Sequence, residues 1–234
     1  MQNANDPNLA MLELVVGRLG GLVDELVFLG GSATGRLLTD ASAPPVRVTK
    51  DVDVIAEVAS LSDYYTLAER LRSRGFVEDH SEDAPICRWT GGGVILDVMP
   101  SNPDVLGFGN EWYRPALDAA EPIELPSGKR IRLVSGPFFL ATKLAAFDGR
   151  GGGDYLISHD IEDMVAVLDG RPEIVEETIA ADEQLRQHLA QRFTALLADK
   201  RFLAALHGHL PADPVSQRRV DILLERLNAI AGAS

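Results

Sequence analysis

The pattern of apolar residues changes once, near residue 134, and this change constrains the fold more than any other feature. Before it, short apolar runs such as residues 26–29, 52–58 and 94–100 alternate with glycine-containing turns, as the strands of a mixed sheet do. After it, helical spacing predicts helices over 136–148, 158–169, 173–181, 183–198, 200–207 and 214–231. We therefore predict an α+β fold with two domains, a small mixed β-sheet core in residues 1–134 and a helical bundle in 135–234.

Charge and composition narrow the classes of function. The 234 residues carry a formal net charge of -13, which disfavours a wide, sequence-independent grip on nucleic acid. The single cysteine, Cys87, permits no intramolecular disulfide and fits a reducing compartment. The polar first ten residues lack the pattern of a signal peptide, and no apolar run reaches the roughly 18 residues of a membrane span. We expect a cytoplasmic protein with no membrane segment.

Two aspartates interrupt an apolar strand in "TKDVDVIAEV". Asp51 and Asp53 are one residue apart, so on a strand both carboxylates point to the same face. Buried carboxylates are costly unless they are paired or bound to a cation, and such a pair suits Mg²⁺. A third acid, Asp97, lies in the apolar run "VILDVMP". If the two strands are neighbours, the three acids converge and could hold two metal ions beside a triphosphate.

A glycine–serine turn precedes this strand in the chain. Gly30, Gly31 and Ser32 follow the apolar run "LVFL" and open a short helix, whose backbone N–H groups and hydroxyl suit a phosphate. Arg36 lies one helical turn beyond Ser32 and could reach the same phosphate. Arg47 and Lys50 stand in or beside the proline-containing loop and are further candidates for substrate binding.

This ordered set resembles the nucleotidyltransferase superfamily with the DNA polymerase β-like fold, whose members transfer a nucleotide from a nucleoside triphosphate to a hydroxyl. With the later "KLAAFDGR" and "HDIEDM" segments, it looks more narrowly like the minimal nucleotidyltransferase toxins of abortive-infection and toxin–antitoxin systems. One departure is the spacing of 19 residues from Ser32 to Asp51, which is longer than usual because of the loop 40–48.

The resemblance implies roles for particular residues. Asp51, Asp53 and Asp97 would be the catalytic metal ligands, with two Mg²⁺ ions expected and Mn²⁺ as an alternative. Lys143 would touch the triphosphate, and either Asp160 or Asp163 would be the later functional acid. The resemblance further implies an RNA acceptor such as a tRNA end, and a cognate antitoxin as partner.

Two other functions fit the same residues. One is a small-molecule nucleotidyltransferase of the antibiotic-modifying type, since an acidic protein attracts a polycationic acceptor. It would need a further carboxylate as base, for which Asp104 and Glu111 are the candidates. The other is a non-catalytic nucleotide-binding or partner module, which would be marked by a lost acid, whereas all three acids are present.

Overall fold

The computed structural model describes residues 6–150 and 153–233, and these form two compact units. The sheet unit comprises Pro7–Ala33 and Arg47–Ser135. The helical unit comprises Thr34–Val46 and the chain from Gly136 onward, together with Asp6. The passage from one unit to the other after Ser135 lies next to the change of pattern at residue 134, whereas Thr34–Val46 groups with the helices although it lies early in the chain.

The sheet unit is built on one mixed sheet of seven strands in the described residues. The strands are β1 Leu26–Leu29, β2 Asp51–Ala56, β3 Val77–Glu78, β4 Arg88–Gly91, β5 Val94–Pro100, β6 Glu121–Glu124 and β7 Arg130–Leu133. Their order across the sheet is β3-β4-β5-β2-β1-β7-β6. The predicted α+β class, with a small mixed sheet followed by a helical region, is confirmed.

Strand pairing brings distant parts of the sequence together in the middle of the sheet. β1 runs antiparallel to β2 and parallel to β7, and β2 runs parallel to β5. β4 and β5 form a hairpin around Gly92 and Gly93, both of which have positive φ, as a tight turn requires. All four residues of β1 are buried, so β1 forms part of the core of this unit.

Three α-helices accompany the sheet within its own unit. They are α1 Leu9–Leu19, α3 Leu61–Ser73 and α4 Tyr113–Asp118, to which two 3₁₀ helices, Gly20–Glu25 and Pro103–Val105, are added. α1 packs against β2 and β5. Ser60 and Asp63 form a capping box at the start of α3, which satisfies two backbone N–H groups that would otherwise be unpaired. α4 was not predicted, because it is only six residues long and contains a proline in its first turn.

The helix α2, Gly30–Leu37, begins in the sheet unit and ends in residues of the helical unit. The remaining helices are α5 Gly136–Gly149, α6 His159–Gly170, α7 Ile174–Ala180, α8 Glu183–Ala198, α9 Lys200–Leu206, α10 Pro214–Gln217 and α11 Arg219–Ala231. α5 is buried from Gly136 through Leu144 and packs against α6, α7 and α8, so it is the central helix of its unit. The helix predicted over 214–231 is divided at Arg218 into α10 and α11. Among the described helices, none combines the length and apolar character needed to cross a bilayer.

Candidate active site in the sheet unit

Three carboxylates share one face of the sheet. Asp51 and Asp53 on β2 are separated by one residue, and both are partly exposed, whereas Val52 and Val54 on the other face are fully buried. Asp53 is the register partner of Asp97 on β5, and directly paired residues of neighbouring strands point to the same side of a sheet. The predicted neighbourhood of these two strands is therefore present, and it places all three acids on one face, which we call the acid face.

The glycine–serine turn meets the acid face at Gly30. Leu29 is the register partner of Asp53, so the chain leaves β1 directly beside this aspartate. A Cβ atom at Gly30 would lie 1.9 Å from Oδ2 of Asp53 and 2.6 Å from its Cγ. Gly30 also has a φ of 72°, a conformation that favours glycine. The two motifs recognised separately in the sequence thus belong to one place in the fold.

Arg88 on β4 joins Asp97 and Asp51. Its Nε donates to Oδ1 of Asp97 at 2.8 Å, and its Nη2 donates to Oδ2 of Asp97 at 2.7 Å, which is a bidentate pair. The same Nη2 lies 3.1 Å from Oδ2 of Asp51. The hydrogen bonds with Asp97, and the charges of Asp97 and Asp51, raise the pKa of Arg88 above its ordinary value. The guanidinium is therefore a permanent positive charge on the acid face.

A second set of contacts fixes the start of β2. The hydroxyl of Thr49 donates to Oδ1 of Asp51 at 2.7 Å. Asn8, which is 1% exposed, donates to the carbonyl of Arg47 at 2.9 Å and accepts from the backbone N–H of Thr49 at 3.0 Å. Asn8 thus holds the segment that delivers Asp51, and each carboxylate oxygen of Asp51 already accepts one hydrogen bond while keeping a lone pair for a further partner.

The glycine–serine turn carries features suited to an anion. Ser32 is fully buried, and its hydroxyl has no hydrogen-bond partner within the part of the chain that the structure describes. A buried hydroxyl without a partner is costly, and a bound phosphate oxygen would relieve that cost. The guanidinium of Arg47 lies against Gly31, where a Cβ would approach Nη2 to 2.6 Å. The turn therefore combines the start of a helix, an unpaired hydroxyl and a neighbouring cation.

The acid face fits a divalent cation only in part. Asp51 and Asp53 supply carboxylate oxygens on one side of one strand, the ligand type that Mg²⁺ and Mn²⁺ take. Asp97 differs, because Arg88 engages both of its oxygens. Within residues 6–150 and 153–233, no three His, Cys, Asp or Glu side chains are grouped so that they could hold a metal ion. The pair on β2 fits a single hard cation, whereas Asp97 as a metal ligand stays a prediction.

The other predicted site residues lie in the helical unit. Lys143 on α5 is 8% exposed, and its Nζ donates to Oδ2 of Asp163 at 2.7 Å and to Oδ1 of Asp160 at 3.3 Å. Arg150 binds the other oxygen of Asp160 at 2.6 Å. The sequence left the choice between Asp160 and Asp163 open, and in the structure both contact Lys143. The role of this cluster in binding the triphosphate stays a prediction.

Two further predicted residues have contrasting environments. The guanidinium of Arg36 forms an ion pair with Asp6 at 2.9 Å, and the two side chains are 1% and 0% exposed. This places Arg36 inside the helical unit, where the pair ties residue 6 to α2. Lys50 is exposed beside the start of β2. Substrate contacts of Arg36 and Lys50 stay predictions.

Sequence reasoning missed Arg88 and Asn8. Arg88 could have been found, because the glycine turn at 91–93 makes a hairpin in which Arg88 faces Asp97, and a lone basic residue in the apolar run "ICRWT" is unusual. Asn8 carries no comparable signal, since its partners in residues 47–49 are about forty positions away.

No protein-family profile and no curated protein matches the chain at the level of sequence. Solved structures do resemble it. An antigenic nucleotidyltransferase-like protein from Paracoccidioides brasiliensis superposes with a TM-score of 0.49 and 19% identity, over 87% of this chain and 93% of that one. JHP933 from Helicobacter pylori superposes with a TM-score of 0.49 and 14% identity, over 96% and 91% of the two chains. Likenesses at this level leave activity, substrate and metal to be decided by the site itself.

Proposed function

We propose that the chain is a metal-dependent nucleotidyltransferase, which moves a nucleoside monophosphate from a nucleoside triphosphate to an acceptor hydroxyl. One observation carries this proposal: Asp53 of the Asp51–Asp53 pair lies against Gly30, the first residue of the Gly30–Ser32 turn, where β1 ends beside β2. A cation-binding pair and a phosphate-binding turn in direct contact are what the binding of a metal–triphosphate complex requires.

Each residue of the site then has a defined task. Asp51 and Asp53 would hold Mg²⁺ or Mn²⁺, and the ion when bound neutralises phosphate charge and polarises the reacting phosphoryl oxygens. The N–H groups at the start of α2 and the hydroxyl of Ser32 would bind phosphate oxygens. Thr49 and Arg88 keep the carboxylate of Asp51 in one orientation, so little reorganisation is needed when substrate arrives.

An RNA end is the acceptor to test first, because the resemblance to minimal nucleotidyltransferase toxins favours it, and a cognate antitoxin is expected on the same ground alone. The full chain is incubated with each α-labelled nucleoside triphosphate, Mg²⁺ and total RNA. A variant with Asp51→Asn and Asp53→Asn should lose at least about a thousandfold of the transfer, because a catalytic metal contributes several kcal/mol. Glu121→Gln, which removes an exposed carboxylate from β6, is the matched control and should behave as wild type.

The outcomes separate the possibilities. Label on RNA in wild type and in Glu121→Gln, but not in the double variant, would support an RNA nucleotidyltransferase. In a parallel reaction an aminoglycoside is added as a polycationic small-molecule acceptor. Label on the aminoglycoside or on the protein would support nucleotidyl transfer, but to an acceptor other than RNA. No transfer, together with no metal-dependent binding of triphosphate, would refute the proposal. Lys143→Met in the same assay tests the role that the resemblance implies for this lysine, which is to support transfer.

A further inference from the structure

Arg88 changes the charge balance of the acid face. One guanidinium that contacts two of the three carboxylates lowers the negative charge left to attract a second divalent cation. Both oxygens of Asp97 accept from Arg88 at 2.7–2.8 Å, and the Asp97 side chain is only 9% exposed. A cation that used Asp97 as a ligand would have to share this carboxylate with the guanidinium, and the two positive charges would repel each other at close range.

The contacts of the three acids lie on different sides of the acid face. Asp97 is bound from β4, on one side of β5, whereas the carboxylate of Asp53 lies against Gly30, where β1 ends on the other side of β2. Asp51 lies further towards the start of β2, where its Oδ1 accepts from Thr49 and its Oδ2 accepts from Arg88. A cation bound through Asp53 would therefore lie on the β1 side of β2, whereas a cation bound through Asp97 would lie beside the guanidinium of Arg88.

We propose that Arg88 is the built-in second cation of this site: it withdraws Asp97 from metal binding, limits the site to one divalent ion on Asp51 and Asp53, and supplies the remaining positive charge itself. Asp97 is then a positioning residue that holds Arg88. This inference rests on the proposed function, and it departs from the expectation of two ions on three acids.

The number and coupling of bound ions test this assignment. Mn²⁺ is added to the full chain with inorganic tripolyphosphate, and electron paramagnetic resonance distinguishes an isolated ion from a spin-coupled pair about 4 Å apart, the spacing of two-metal sites. Wild type should hold one isolated ion. Asp97→Asn should still hold one ion, because Asp97 is not a ligand. Arg88→Gln should bind Mn²⁺ roughly tenfold more tightly or better and gain a coupled second ion, because it removes a nearby positive charge and frees Asp97.

Two further variants guard against a folding artefact. Arg88→Gln leaves the buried Asp97 without its partner, which is more damaging than removing both charges, so Arg88→Gln combined with Asp97→Asn is measured as well. This pair should fold and hold one isolated ion. Asp51→Asn with Asp53→Asn should hold none, and Glu121→Gln should match wild type.

The results that overturn the inference are distinct from those that overturn the proposed function. A coupled pair in wild type that becomes a single ion in Asp97→Asn would show that Asp97 is a ligand, and would leave a metal-dependent transferase intact. One isolated ion of unchanged affinity in a folded Arg88→Gln would show that Arg88 does not compete with metal. No bound ion in wild type would refute both proposals together. If Arg88→Gln does not fold, the comparison of Asp97→Asn with wild type decides the question.

Discussion

Gly30→Ala is the substitution that most directly tests how the acid face and the glycine–serine turn meet. Two separate costs are expected. The positive φ of 72° costs an L-residue about 1–2 kcal/mol. The new Cβ would lie 1.9 Å from Oδ2 of Asp53, far inside any contact distance, and forcing extra atoms into a packed site costs about 1–3 kcal/mol. Together they predict a loss of about 2–5 kcal/mol in the free energy of unfolding, and displacement of Asp53 from its present orientation.

Gly128→Ala is the matched control. Gly128 has a φ of 80°, lies in the turn between β6 and β7, and has no atom within 4 Å of the position of a new Cβ. Gly128→Ala should therefore lower the free energy of unfolding by the backbone contribution alone, about 1–2 kcal/mol. Both glycines belong to the sheet unit, and so do the two tryptophans of the chain, Trp89 and Trp112, which are buried. Urea unfolding followed by tryptophan fluorescence thus measures the unit in which both substitutions lie.

The excess of Gly30→Ala over Gly128→Ala measures the contact with Asp53. Repeating Gly30→Ala in an Asp53→Ala background should recover about 1 kcal/mol or more, because Oδ2 and Cγ, the two closest atoms, are gone. Two results would refute the placement of the carboxylate against the turn. One is an equal loss in the free energy of unfolding for Gly30→Ala and Gly128→Ala. The other is a loss in the double variant that equals the sum of the losses for Gly30→Ala and Asp53→Ala.

Three other predictions concern residues away from this contact. Asn8→Ala should cost about 2–4 kcal/mol in the same fluorescence assay, because two backbone groups in residues 47–49 lose their partner. Hydrogen bonding to Arg219 lowers the pKa of Asp40 to about 2. The ion pair of Asp40 with Arg219 therefore stabilises the fold above about pH 4, and this stabilisation is lost towards pH 2 as Asp40 becomes protonated. In acid unfolding followed by circular dichroism, the difference in stability between wild type and Arg219→Met should become smaller over this range. Burial raises the pKa of Cys87 to about 12, so iodoacetamide should label the unfolded chain and not the native one at mildly alkaline pH, as mass spectrometry would show.

The sequence predicts the parts of this structure that depend on periodicity. The spacing of Asp51 and Asp53 places both on one face whatever the sheet around them. The change to helical spacing after residue 134 gives the α+β class, and β1 and β5 have the predicted bounds. The prediction that β2 and β5 are neighbours could only be conditional. About forty residues separate these strands, and periodicity carries no information on which strands pair.

The residues that contact the acids and position β2 depend on how strands and segments pair in the fold, so periodicity in the sequence could not predict them. Arg88 reaches Asp97 only because the β4–β5 hairpin has the register that sets these two residues opposite each other. Asn8 reaches residues 47–49 only once the start of α1 is placed beside the segment that enters β2. The first contact joins two opposite charges, and the second joins an uncharged amide to backbone groups. Neither kind of contact leaves a repeating pattern in the sequence.

The chemistry of the site depends on these unpredicted neighbours as much as on the acids. A search that stops at the Asp51–Asp53 pair and a third acid on a later strand would assign two cations, because it counts carboxylates alone. Under the one-ion assignment that we propose, the residue opposite the third acid across the hairpin would decide whether that acid is available to a metal. Where it is neutral, the third carboxylate stays open. Where it is an arginine with both N–H groups on the carboxylate, as Arg88 is here, the protein provides that positive charge itself. Two chains with the same acids can therefore differ in the number of ions they hold.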